Sequence, residues 1–375
     1  MELTVYSSTL ETCDNYAAAL KQAMNRVPSD RVCGVVVHGT SDNVEYHHLL
    51  RDVKSAVCAS LGRCVPVTLV PQYVLPDGGL TLDIYALEST SDLRILVHDG
   101  VCYGKIESEN EHLLFIEGIP SSDFSVCVCQ QSEEVFSKMD AILSLHGFAV
   151  DDIVRQWNYI GNIVSYRDGK QNYQEFNDAR TRYYAQGVWS NGYPAATGIG
   201  ASGEGIIVGC IAYRKETGDA KAIYPIDNPL QVAAHVYSKA VLIDDALNAT
   251  KSTPKFERAK LIETRRGACC FVSGTAAIRG EQSVDADSVG EQTIKTIENI
   301  DHLVSKENLL RSGCRAYDLH MTKLHVFVKR KEDYEEVRRV VAERYPHATT
   351  VYTLADVCRS ELLVEIEGIF NAKYK

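Results

Sequence analysis

One order of strand and helix patterns recurs three times along the 375 residues. In the last third, "RGACCFVSGTAAI" has the apolar run of a buried strand, and "SVGEQTIKTIENIDHLVSKE" places Ile294, Ile297, Ile300 and Leu303 three apart, close to one helical turn. "LHMTKLHVFVK" alternates as a strand, "EDYEEVRRVVAERYP" is helical again, and "LLVEIEGIF" closes the unit as a strand. The middle of the chain repeats this order with "EHLLFIEGIP", "QSEEVFSKMDAILSLHG", "DDIVRQWNYIG", "NYQEFNDARTRYYAQ" and "GIIVGCIAYR". Near the start come "DNYAAALKQAMNRV", "DRVCGVVVHG", "YHHLLRDVKSAVCASLG", "PVTLVPQ" and "LTLDIYALES", with the opening hairpin shortened to "LTVYSS".

Three β-β-α-β-α-β-β units in one chain predict an α+β protein built as a pseudo-trimer, in which each sheet lends an edge to its neighbour. The units are expected at 1–90 (abbreviated), 91–213 and 257–375. Residues 214–256 break the period and read as an insertion or linker.

Composition removes several function classes. With 45% hydrophobic and 24% charged residues, the chain has the make-up of a soluble globular protein. A formal net charge of -11 argues against gripping nucleic acid through its phosphates, yet leaves room for a small anion in a locally positive pocket. No apolar run reaches membrane-spanning length, and the opening residues lack the basic start and apolar stretch of a secretory signal. A cytoplasmic location without membrane attachment is the expectation. Of the twelve cysteines, several sit inside apolar runs such as "VCVC" and "GACCFV", and none forms a CxxC pair, so reduced and mostly buried thiols are expected. The eleven histidines show no HxxxH or Cys/His ligand spacing, which argues against a metal site.

Three stretches carry side chains that could do chemistry. In "VEIEG", Glu365 and Glu367 alternate with Val364 and Ile366 and therefore share one face of a strand. That face is either wet or presents a carboxylate. "RQWNYIG" puts Arg155, Trp157 and Tyr159 on one side of a strand and Gln156 and Asn158 on the other. The helix "NYQEFNDARTRYYAQ" carries Arg180 and Arg182, for which a surface ion pair is the ordinary reading.

The repeat resembles the RidA (YjgF-like) family, of chorismate mutase-like fold, most clearly in "FVSGTAAI", "EQTIKTIENI" and "VEIEG". Members of that family form homotrimers with small-molecule sites between subunits. Its deaminases hold a substrate carboxylate with an arginine in a "PARS"-like turn, and the corresponding "YPAATGIG" and "ATTVYTLADVC" lack that arginine. "RQWNYIG", "QNYQEFNDAR", "YPAATGIG", "FVSGTAAI" and "CRSELLVEIEG", in this order, resemble the chorismatases, RidA-like proteins that remove pyruvate from chorismate. The likeness runs from about residue 95 to the end and is weaker before it.

This resemblance implies a small anionic substrate, chorismate, and no metal or organic cofactor. Cleaving its enolpyruvyl ether requires protonating the terminal methylene, and Glu365 is the implied acid. A carboxyl in a pocket with a dianionic substrate would have its pKa raised. Cys358 is carried to the pocket of the branch that makes 3-hydroxybenzoate, with Gly274 as the small residue leaving room beside the ring. Arg180, then Arg155, are the implied carboxylate anchors, since a guanidinium offers two parallel donors. Tyr173 and Tyr193 are candidate hydroxyl donors; Glu367 and Trp157 are read as structural. The expected product is 3-hydroxybenzoate, with hydrolysis to a dihydroxy-cyclohexadiene carboxylate as the other branch. An imine or enamine hydrolase and a non-catalytic ligand-binding protein stay open as other classes, and the assembly is expected to be a monomeric pseudo-trimer or a small homo-oligomer.

Overall fold

The computed structural model describes residues 3–10, 16–24, 27–39, 46–87, 93–216, 221–238, 252–285 and 287–374. The first stretch holds β1 (Leu3–Leu10), α1 (Tyr16–Met24), β2 (Val32–Gly39) and α2 (Tyr46–Leu61). β3 (Val67–Pro71), β4 (Tyr73–Val74) and β5 (Leu80–Leu87) complete it. The second opens with β6 (Leu93–His98), β7 (Val101–Glu107), β8 (Glu111–Pro120) and α3 (Val128–Leu145). It continues through β9 (Ile153–Gly161), the small hairpin β10 (Tyr166–Arg167) and β11 (Lys170–Gln171), α4 (Asn172–Tyr184), β12 (Ala195–Ala201) and β13 (Ile206–Lys215). The third has β14 (Ile223–Ile226), β15 (Ala259–Thr264), β16 (Gly267–Ala276) and the small hairpin β17 (Ile278–Arg279) and β18 (Gln282–Ser283). α5 (Val289–Leu303), α6 (Lys306–Arg311), β19 (His320–Val328), α7 (Tyr334–Arg344), β20 (Thr349–Leu354) and β21 (Val364–Lys373) end the chain.

One strand order governs all three large sheets. The second sheet runs β12-β9-β13-β8-β7-β6 and the third runs β14-β15-β16-β21-β19-β20-β4. In each, the strand that follows the first long helix pairs in parallel with the strand that follows the next one, β9 with β12 and β19 with β20. A helical crossover is what allows two successive strands to run parallel. The last strand then returns antiparallel between the older pair, β13 between β9 and β8, and β21 between β19 and β16. The first sheet, β1-β5-β2-β3, keeps this order with its opening hairpin reduced to β1. Sheet edges are shared across these stretches: β4 of the first pairs with β20 of the third. β14, inside the segment that breaks the period, extends the third sheet through β15.

Helices cover one face of each sheet, α3 and α4 on the second and α5 and α7 on the third. The bare faces meet in a central core to which all three contribute, including Tyr85, Phe115, Trp157, Phe271 and Phe327. Two buried ion pairs cross between sheets there: Arg155 of β9 with Glu367 of β21 at 2.6 Å, and Lys323 of β19 with Asp83 of β5. Losing one partner of such a pair strands a buried charge, at a cost of about 3–5 kcal/mol, so these contacts fix how the sheets dock. Eleven cysteines are among the described residues, all as free thiols. Among those residues no helix is long and apolar enough to cross a membrane.

Candidate active site

Between the second and third sheets lies a cavity with an empty volume of about 790 Å³, counting its open mouth. One wall is β12, through Ala196 and Gly198, together with Tyr173, Asn177 and Arg180 of α4. The facing wall is Gly274 and Ala276 of β16, Glu365 of β21, and Cys358 and Arg359 from the loop before β21. Tyr237, Pro254, Phe256 and Arg258 close it from the region leading into β15.

Glu365 sits opposite Ala276 and Phe327 in the sheet and is 5% exposed. Among the described residues its carboxyl has no hydrogen-bond or ion-pair partner. Burial, and then the negative charge of Glu367, lift its pKa from an ordinary 4.5 to about 8. Glu367, two residues along the same face, is in the opposite situation. It accepts from Arg155 Nη2 at 2.6 Å, from Thr197 Oγ1 at 2.5 Å and from Trp157 Nε1 at 3.1 Å.

The backbone of β16 makes room for the unpaired carboxyl. Its pairing with β21 shifts register between Val272 and Thr275, and a Cβ at Gly274 would stand 2.0 Å from Glu365 Oε1. No side chain fits there while Glu365 keeps its position. The Gly274 N–H donates to Thr197 Oγ1 at 3.1 Å, the same hydroxyl that donates to Glu367.

Three guanidinium groups face the cavity, each tethered at one end. Arg180 Nη2 donates to Asn177 Oδ1 at 2.6 Å and the group lies 5.3 Å from the Phe176 ring centre. Arg258 Nη2 donates to the Val232 carbonyl at 2.7 Å and the Tyr237 hydroxyl at 2.6 Å. Arg359 Nη1 donates to the Glu281 carbonyl at 3.0 Å and Ser283 Oγ at 3.1 Å. Its guanidinium lies 5.4 Å from the Tyr237 ring centre. The buried Nε atoms of Arg180 and Arg258 have no partner among the described residues. Buried guanidinium N–H groups without acceptors are costly. Burial also pushes the Tyr173 phenol up, leaving a neutral hydroxyl, and pushes the Cys358 thiol up to about 12, so Cys358 is not a thiolate nucleophile.

Elsewhere, ligand atoms of His38, Asp83 and His325 gather within 4.8 Å of one another in the central core. Asp83 already receives the Lys323 ammonium and the Ser7 hydroxyl, so the chain supplies this carboxylate with its own cation.

Residues 91–212 match the family described as chorismatase FkbO/Hyg5-like, N-terminal. A chorismatase of Streptomyces rapamycinicus is 32% identical over 279 residues, which cover 72% of this chain and 77% of that one. The chain belongs to the chorismatase family. A protein named 3-hydroxybenzoate synthase, of Streptomyces hygroscopicus, is 34% identical over 234 residues, 60% of this chain; the match spans 65% of that relative's length. A solved chorismatase structure shares the fold, with a TM-score of 0.72 at 23% identity over 98% of this chain and 99% of the other.

Glu365, Cys358, Gly274, Arg180 and Tyr173 converge on one cavity although their sequence positions span nearly two hundred residues. Arg155 and Tyr193 do not line it. Arg155 is engaged behind the site by Glu367. Tyr193 packs against Tyr184, Trp189 and His235, and its backbone N–H donates to Glu257. Arg182 makes an exposed ion pair with Glu133, the ordinary fate of a surface arginine. Sequence reasoning missed Arg258, Arg359, Tyr237 and Phe256. Arg359 had a signal, as the neighbour of Cys358 in "CRSELL". The other three lie in or just after the aperiodic segment, where no pattern marks a residue as facing a site.

Proposed function

We propose that this protein cleaves the enolpyruvyl ether of chorismate, releasing pyruvate and forming 3-hydroxybenzoate, with Glu365 as the general acid. The observation that carries the reading is a buried carboxyl, unpaired among the described residues, with a pKa near 8 in a cavity faced by three arginines. Such a carboxyl is protonated at neutral pH, as proton donation to a carbon demands. The arginines that line the cavity, Arg180, Arg258 and Arg359, supply donors for two carboxylates. The relative named 3-hydroxybenzoate synthase supports the choice of product.

The proton of Glu365 goes to the terminal methylene and turns the ether into an oxocarbenium-like leaving group. The ring hydroxyl then displaces it at the neighbouring ring carbon and returns its own proton to the Glu365 carboxylate, pyruvate departs, and the resulting arene oxide opens as the ring carbon loses a proton and the phenol oxygen gains one. The net change is chorismate to pyruvate plus 3-hydroxybenzoate, and no water is consumed. Neutral Cys358, beside the reacting ring in this reading, fills space where water would otherwise attack. The recurrent strand order supports three RidA-like units, 1–90, 91–213 and 257–375, arranged as a pseudo-trimer in which 214–256 helps close the site.

The test is incubation with chorismate in the absence of any cofactor, with pyruvate assayed and aromatic products separated. Pyruvate in equal amount to 3-hydroxybenzoate is the expected result. Pyruvate with a dihydrodiol would keep the acid chemistry and replace the branch; no pyruvate would refute the reading.

A further inference from the structure

We propose that Glu367 is a positioning residue for the acid: held as a fixed anion by Arg155, Thr197 and Trp157, it keeps the Glu365 carboxyl protonated and sets the upper pH limit of catalysis. The proposal rests on Glu365 being the acid. Two residues along one strand face, the carboxyls are carried by Cα atoms roughly 7 Å apart, and both residues are buried. A second negative charge at that separation is opposed by the first, and the group with fewer donors is the one that stays protonated. Glu367 has three donors and Glu365 none among the described residues. Two of those three come from β9 and one from β12, so the docking of the second sheet on the third decides which carboxyl is the acid.

The remaining groups around Glu365 do not reverse this. Arg155 on β9 is engaged by Glu367, and Arg258, before β15, is tethered to Val232 and Tyr237. From α4, Arg180 is held by Asn177 and Tyr173 is neutral; from the loop before β21, Cys358 is neutral and Arg359 is tied to Glu281 and Ser283. Among the described residues Glu367 is the carboxylate that acts on Glu365, opposed by Arg155 and Arg258, and the competition between it and Arg155 is open to experiment.

The experiment compares pH profiles of kcat for pyruvate release in the wild type, Glu367→Gln and Arg155→Gln. Removing the anion is expected to move the alkaline limb down by roughly one to two pH units, from the Coulomb interaction at about 7 Å in an effective dielectric near 20. Removing the cation is expected to move it up. A purely structural role would lower activity at every pH and leave the limb in place. The double variant Arg155→Gln/Glu367→Gln carries no lone buried charge and is expected to shift the limb down by less than Glu367→Gln does. An infrared carboxyl band assigned to Glu365 by its loss in Glu365→Gln reads the same titration without substrate. A wild type that releases no pyruvate would refute the function, while the band would still test Glu367. A band that titrates at the wild-type pH in Glu367→Gln and in the double variant would overturn the inference.

Discussion

Replacing Glu365 by glutamine should separate catalysis from stability, and the two should move in opposite directions. In the unfolded chain this carboxyl ionises above its ordinary 4.5, whereas in the folded protein it stays protonated up to about 8. Between these values the folded state binds more protons than the unfolded state, so stability falls as pH rises. Each pKa unit is worth about 1.4 kcal/mol, so at pH 7 the burial of this acid costs ~3 kcal/mol, and above pH 8 the full cost is ~5 kcal/mol. Below pH 4.5 both states are protonated and the cost vanishes. Glutamine keeps the shape and cannot ionise. The Glu365→Gln variant should therefore unfold at higher urea than the wild type at pH 7, gaining ~3 kcal/mol, and match it at pH 4. Its pyruvate release should be lost at every pH, while the wild type declines above about pH 8. A stability difference that is flat from pH 4 to pH 8.5, or a Gln variant that still releases pyruvate, would refute the reasoning.

Gly274→Ala would put a Cβ 2.0 Å from Glu365 Oε1 and should displace the acid, lowering kcat at least about tenfold while the product ratio holds. A wild-type rate in a turnover assay would show that the strand accommodates the methyl group. Cys358→Ala should shift products toward the dihydrodiol, read by chromatography, with the total pyruvate rate within about threefold of wild type; an unchanged ratio would remove the thiol from product choice. Arg258→Met should raise KM for chorismate about tenfold or more and change kcat less, since it removes a carboxylate donor rather than the acid. Equal losses in kcat and kcat/KM with KM unchanged would place that arginine in the transition state instead.

Much of the architecture was legible because its signals are local. The alternation in "LHMTKLHVFVK", the one-turn spacing of isoleucines in "EQTIKTIENI" and the shared face of Glu365 and Glu367 follow from backbone geometry alone. In the structure α5 begins behind Ser288, whose side chain accepts from the Glu291 N–H. Less visible was the role of residues 214–256: β14 joins the third sheet, and Tyr237, Pro254 and Phe256 reach the cavity, through pairings that no periodicity announces. Gly274 was expected to leave space beside a substrate ring. The close approach in the structure is to Glu365 itself, a contact between neighbouring strands that depends on a register shift.

The sequence by itself determined the element order, the repeat, the strand that presents two carboxyls and the family to which the motifs belong. Strand alternation could not separate the two carboxyls, because Glu365 and Glu367 are chemically identical, two residues apart and on the same face, and Glu365 was chosen on the family resemblance alone. The physical difference between them belongs to tertiary structure. Arg155, 212 positions away in sequence, and Thr197 and Trp157 with it, reach Glu367 when two sheets dock and leave Glu365 without a donor among the described residues. A proton stays where burial and a neighbouring anion oppose its loss, and both conditions exist only after the chain has folded.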